Sequence, residues 1–246
     1  MKEITPDESA PMRASRPVDG IKSFALGVRP VQQARSKATL LALLKAGRES
    51  LEEGTLDELK ISKVAKRAGT SVGAFYGRFE NKEVFFYAIQ ETTLSELRTQ
   101  LDAMFAHLQS TQADAHQYID TLTKFWVSIF RNNRGLYRAA FKHSSAVPGV
   151  WTPFKRLGYR GSQLLVETLL PVLEDQGVEC DEKQIRVAMQ FVNGLLVNAT
   201  INDPGPVRLD DKDMQGYVAR FLCTFLGLEP PTGKPHISMS SENRYD

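Results

Sequence analysis

The stretch "GTSVGAFYGRFENKEVFF", residues 69–86, places Gly73 and Gly77 four positions apart in a segment whose flanks read as helix. Each interior glycine costs a helix about 1 kcal/mol relative to alanine, so the pair needs a compensating cause. Immediately upstream, "ISKVAKRAG" from Ile61 gives a short helix with a small apolar face of Val64, Ala65 and Ala68, and Gly69 then breaks the chain. Ser71 stands where it caps a second helix. Phe75 and Phe79 share one face and can anchor that helix on the first and on Leu51, which turns Tyr76 away from the anchor. This is helix-turn-helix spacing. In a recognition helix, absent side chains let the backbone lie against the edge of a major groove about 12 Å wide. Alternatively, Gly73 and Gly77 ease packing against a neighbouring helix. Asn81 is a good N-cap, and Lys82 follows among free N–H groups at the positive end of a helix dipole, an arrangement suited to clamping a phosphate.

Around this stretch the charge is uneven. Lys60, Lys63, Lys66, Arg67, Arg78 and Lys82 face only Glu80 within residues 60–82, whereas the 246-residue chain carries a formal net charge of just +2. Hydrophobic residues at 42% and charged residues at 24% favour an ordinary globular class over disorder or a membrane protein. The polar, acidic start "MKEITPDESAPMR" is unlike a secretory leader, and no long apolar run exists. Cys180 and Cys223 lack any CxxC partner, so neither a disulfide framework nor a zinc site is expected, and a reduced cytoplasm fits.

Apolar residues recur at helical spacing, as in Leu40, Leu44, Gly47 and Leu51, and strand signals are nearly absent, so the expected fold class is all-α. Helices are predicted at about 31–53, 61–67, 71–78, 82–109, 113–132, 134–144, 149–176, 181–202 and 211–227, punctuated by Gly54, Gly69, Pro148, Gly177 and the "DPGP" of residues 203–206. Pro171, within "LLVETLLPVLED", is expected to kink or split its helix. Residues 1–30 read as a flexible arm and 229–246 as a mobile tail.

The sequence "VAKRAGTSVGAFYGRFENKEVFF", with the amphipathic helix that ends in Leu51, resembles the DNA-binding motif of the TetR (tetracycline-repressor) family of bacterial transcriptional regulators. The match covers roughly residues 35–88; the remainder is similar only in length and helical character. The resemblance implies a three-helix DNA-binding domain at 31–80, a larger effector-binding and dimerisation body at 81–228, and regulation by a small molecule. By the same resemblance Ser71 caps the recognition helix, Tyr76 hydrogen-bonds a phosphate, and Lys82 holds the DNA backbone. Base edges fall to Thr70, Val72, Ala74 and Arg78, with Gly73 and Gly77 giving close approach. Of these, Arg78 suits a bidentate guanine contact worth roughly 1–3 kcal/mol of discrimination, while Val72 and Ala74 suit thymine methyls. Val72 could instead be buried beside Phe75. The chain departs from the family where Gly77 replaces a basic or aromatic residue and where Lys60 or Ile61 replaces a threonine, so Lys60 is expected to supply its own charge. Arg29, Arg35 and Lys37 offer the arm charge for the backbone or minor groove.

In the body, Ile185, Ala188, Met189, Val192, Leu196 and Ala199 form one stripe, and Met214, Tyr217, Val218, Phe221, Leu222 and Phe225 another, wider than a solvent-facing helix needs. The stripes are either ordinary core or, in the TetR-like reading, a four-helix homodimer interface through Met189, Val192, Leu196, Tyr217, Val218, Phe221 and Phe225. Such a dimer reads a pseudo-palindromic double-stranded DNA operator. Residues 118–160 are rich in aromatics. They are either core or the lining of a cavity for a small, largely apolar effector, with Phe125, Trp126, Phe130, Tyr137, Phe141, Trp151, Phe154, Tyr159 and Asn193 as candidate walls. Arg134, Arg138, His143, Arg156 or Asn193 would orient the ligand. The long helix from Lys82 is the expected lever between body and DNA.

Enzymatic chemistry finds little support. His107, His116, His143 and His236 form no HExxH or i,i+4 pair, and neither a GxSxG elbow nor a GxxxxGK[ST] loop occurs. "GYRG" at 158–161 matches a KH-type GXXG loop only by accident, since KH domains need strands. No catalytic residue, cofactor or metal is expected. The alternative function is a TetR-like architectural or recruiting factor that binds DNA without an effector.

Overall fold

The structure is a computed structural model describing residues 34–147 and 149–230. The arm at 1–30 with Arg29, the side chain of Arg35, Pro148, and the tail from residue 231 with His236 lie outside the described residues. Within them the chain forms helices α1 (Ala34–Glu53), α2 (Ile61–Arg67), α3 (Val72–Tyr76), α4 (Lys82–Ser110), α5 (Ala115–Asn132), α6 (Arg134–Ser144), α7 (Thr152–Asp175), α8 (Glu182–Ile201) and α9 (Met214–Phe225), and no strand is described.

Local chemistry sets the ends. Ser71, Asn81 and Asp181 accept hydrogen bonds from the backbone N–H groups of Ala74, Val84 and Gln184, and Asp114 forms a reciprocal capping box with Gln117. Each side chain satisfies a donor that the first helical turn leaves without a partner. At the end of α2 the chain reverses through Gly69 at φ +66°, with Thr70 N–H returning to the Ala65 carbonyl. α3 is shorter than the 71–78 expected, because regular helix stops at Tyr76 with Gly77 as its C-cap.

Pro171 does not split α7, which runs unbroken from Thr152 to Asp175. Pro171 and Glu167 both lie on the exposed side, so the Glu167 carbonyl that loses its donor can be hydrated instead.

α1 packs on α2, α4 and α6, α2 on α3, and the long α4 continues onto α7, while α5, α8 and α9 pack together behind it. One apolar core runs from Leu43 in α1 through Phe75, Phe85 and Ile89 to Leu222 in α9. An N-terminal helix-turn-helix domain thereby joins a larger helical C-terminal domain. No helix among the described residues is long and apolar enough to cross a membrane.

Candidate nucleic-acid interface and cavity

α3 is held from beneath by three phenylalanines. Phe75, Phe79 and Phe85 are fully buried, with ring centroids 4.8–5.2 Å apart. That anchor turns the opposite face outward: Val72 and Tyr76 are 41% and 52% exposed, so Val72 is not buried beside Phe75. Tyr76 packs its ring edge-on to Phe75 and makes no hydrogen bond among the described residues.

A Cβ added at Gly73 would meet only Ser71 Oγ, at 3.8 Å, and one at Gly77 only the carbonyls of Gly73 and Ala74, at 3.3 and 3.6 Å. No neighbouring helix approaches either glycine among the described residues, so close packing within the protomer does not account for the pair. Thr70, Ser71, Ala74 and the two glycines instead form an open, low surface between Val72 and Tyr76.

The six basic side chains divide. Lys60, Lys63 and Lys66 are exposed, Lys60 at the start of α2. Arg67 is clamped to both carboxylate oxygens of Glu53, at 2.7 and 2.9 Å, and ties α2 to α1. Arg78, expected at a guanine edge, is turned inward: its guanidinium donates to the Ala74 carbonyl at 3.0 Å and to Ser36 Oγ at 3.0 Å, buckling α3 to the start of α1. The partial negative charge of the α3 carbonyl end favours that cation. Lys82, expected on DNA, donates through Nζ to the carbonyls of Leu56 and Asp57, at 3.3 and 3.2 Å, pinning the α1–α2 loop to the start of α4. An ammonium has three donors, so one remains for another acceptor.

Two polar contacts among the described residues join this head to α6. Gly135 N–H donates to Glu52 Oε2 at 2.8 Å, and Lys142 pairs with Asp57 at 2.7 Å. Burial pushes the Glu52 carboxyl above its ordinary range, opposed by the Gly135 hydrogen bond, while Lys142 holds Asp57 below its own.

Between α5, α6, α7 and α8 the body holds a cavity of about 300 Å³ that opens to solvent beside the exposed Lys155 and Tyr159. Trp126, Phe130, Tyr137, Trp151, Phe154, Tyr159 and Asn193 line it, and Phe125 and Phe141 do not. Phe141 instead lies 45% exposed, edge-on to Trp151. Asn193 Oδ1 accepts from Trp126 Nε1 at 2.8 Å, which fixes the indole, and the indole edge fills the space a side chain at Gly161 would occupy. The other suggested orienting groups are engaged elsewhere or exposed: Arg134 with Asp210, Arg138 with the Thr200 carbonyl, His143 with the Tyr87 hydroxyl, and Arg156 at the surface. Arg186, Lys155 and Ser162 line the cavity and were not anticipated. Arg186 lies on the polar flank of the α8 stripe, a position that sequence periodicity assigns to solvent.

The dimer expectation needs correction. Met189, Val192, Leu196 and Val218 are at most 2% exposed within one protomer and form its core, so they cannot meet a second copy. Tyr217, Phe221 and Phe225 are half-buried. The apolar groups that α8 turns outward are Phe191 and Leu195, 54% and 43% exposed, with Phe191 edge-on to Phe221 and Phe225. Both faces of α8 are apolar, and the denser stripe is the inner one.

Residues 43–89 match the family model described as bacterial regulatory proteins, tetR family. No curated protein matches the sequence significantly. Among solved structures, a candidate TetR-family regulator from Mesorhizobium loti is similar with a TM-score of 0.63 at 15% identity, over 79% of this chain and 98% of that one. A candidate transcriptional regulator from Saccharomonospora viridis, solved with choline, is similar with a TM-score of 0.60 at 17% identity over 78% and 96%. Salmonella enterica GusR is similar with a TM-score of 0.53 at 15% identity over 77% and 95%.

Proposed function

We propose that this chain, TetR-like in its head sequence and in its fold, is a cytoplasmic, non-enzymatic, homodimeric repressor that leaves a pseudo-palindromic operator when a small effector occupies the body. The head would span residues 31–80 and the body 81–228. One observation carries the reading: α3, anchored beneath by Phe75 and Phe79, offers outward a face of Val72, Gly73, Tyr76 and Gly77 with nothing packed on its glycines. Such a face suits close approach to a groove, with exposed Lys60, Lys63 and Lys66 alongside for phosphates. Thr70, Val72 and Ala74 would meet bases, and Tyr76 a phosphate. Ser71 would act through its cap, and Lys82 through the loop it pins and its remaining donor. Arg78 would support α3 from behind. The partner copy would seat on Phe191, Leu195, Phe221 and Phe225.

A cavity of about 300 Å³ favours an effector over a filled body. Tyr137 of α6 lines it, and the same helix touches the head through Gly135 and Lys142. An effector that binds better with α6 displaced would shift the Leu51–Asp57 segment, and with it the carbonyls that hold Lys82. Operator release would follow only from that difference in affinity between the two arrangements.

Selection of bound duplexes from a random pool, followed by anisotropy titration over a salt series, tests the reading. Recovery of a two-fold symmetric site with steep salt dependence is expected. Equal weak binding to every duplex would overturn it.

A further inference from the structure

We propose that the cavity takes a small aromatic carboxylate or an anion of like shape, its charge at Arg186 and Lys155 and its flat body between Trp126, Trp151 and Phe154. This rests on the effector reading above and narrows it to a chemical class.

The walls are built for a flat apolar body. Trp151 and Phe154 stack at 4.8 Å and 23°, and Tyr137 stacks on Phe130 at 4.4 Å and 28°. At about 300 Å³ the space lies at the small end of ligand pockets, so one or two rings suit it.

The charge of the lining selects the sign. Arg186 and Lys155 are its charged members, and no carboxylate is among them. Arg186 is positioned in advance, donating to Glu182 at 2.7 Å and to Gln163 at 2.6 Å, with its guanidinium 5.3 Å from the Tyr159 ring centroid. Its Nη1 reaches Ser162 Oγ only at 3.5 Å, so this is the donor most readily given to a ligand. Glu182 offsets part of the Arg186 charge, but Lys155 makes no ion pair among the described residues. The Tyr137 hydroxyl, also without a hydrogen bond there, is kept protonated by burial and can donate. Aromatic boxes also attract organic cations, but two cationic side chains on the same lining oppose one.

The chain has two tryptophans, Trp126 and Trp151, and both line the cavity, so intrinsic tryptophan emission reports on this site alone. The full chain is titrated with 4-tert-butylbenzoate, the neutral 4-tert-butylbenzamide and the cationic 4-tert-butylbenzylammonium. The carboxylate is expected to bind at least about tenfold more tightly than the amide, with the ammonium weakest. That preference should fall towards unity in Arg186→Gln with Lys155→Gln. If the double variant does not fold, the carboxylate-to-amide ratio in the unaltered protein still decides. Equal or tighter binding of the amide or ammonium, or no emission change with any probe, overturns the proposal. Operator release is measured separately. Tight carboxylate binding without release would refute the effector reading and leave the anion assignment standing, whereas release by the amide without carboxylate preference would do the reverse.

Discussion

The Cβ that Gly135 lacks would stand 2.1 Å from the carbonyl oxygen of Leu51, so the start of α6 rests directly on the end of α1. The obstructing atoms are backbone, and no side chain can swing aside to admit a methyl group. Head and body therefore meet where neither can yield without moving a helix.

Gly135→Ala should lower thermal stability, with a cost of about 1–3 kcal/mol for overpacking. It should also shift α6 and disturb operator binding. Unfolding curves and anisotropy titrations check both, and unaltered values for each would contradict the rigid joint.

Tyr76→Phe should leave the melting temperature unchanged, since the hydroxyl bonds nothing among the described residues. Operator affinity of the dimer should fall about tenfold to a hundredfold, one phosphate hydrogen bond being lost in each of its two heads. Lys60→Ala should flatten the plot of log affinity against log salt by about two units for the dimer, as expected for one fewer phosphate contact in each of its two heads.

Arg78→Met separates support from readout. The guanidinium holds Ser36 and the Ala74 carbonyl, so its loss should destabilise the head by about 1–3 kcal/mol while the preferred operator bases stay the same. A stable variant with relaxed base preference would return Arg78 to the groove.

The pH dependence at the joint has a definite sign. Burial raises the folded-state pKa of Glu52 above its ordinary 4.5, so between these values the folded protein keeps a proton that the unfolded chain has released. Stability from this group is thus highest below pH 4.5 and declines as pH rises through the folded value. Asp57, held low by Lys142, acts oppositely and loses its contribution as pH falls. Glu52→Gln keeps an acceptor for Gly135 N–H and should raise the melting temperature at neutral pH while removing the decline above pH 4.5.

Phe191→Asp should yield a folded monomer by light scattering, because the side chain is exposed in the protomer. Leu196→Asp should unfold the protein, because that side chain is fully buried.

The helix pattern was legible from neighbouring residues. α2 and α6 begin and end where periodicity places them, and Ser71, Asn81, Asp114 and Asp181 mark starts by capping donors three positions on. Most of the cavity wall was legible too, because aromatics at helical spacing on α5, α6 and α7 converge. Phe141 and Phe125 misled, since spacing along one helix does not say which neighbour covers which side.

By itself, then, the amino-acid order determined the helices, the turn at Gly69 and the outward face of α3, because caps, φ preferences and the Phe75–Phe79 spacing act within a few residues. Only the tertiary structure decided that Arg78 turns to Ser36, that Lys82 turns to the loop at Leu56, that the inner face of α8 is the one bearing Leu196, and that Arg186 enters the cavity. Those outcomes depend on partners far away in the chain, brought into reach only when burial of the common core sets how the helices cross.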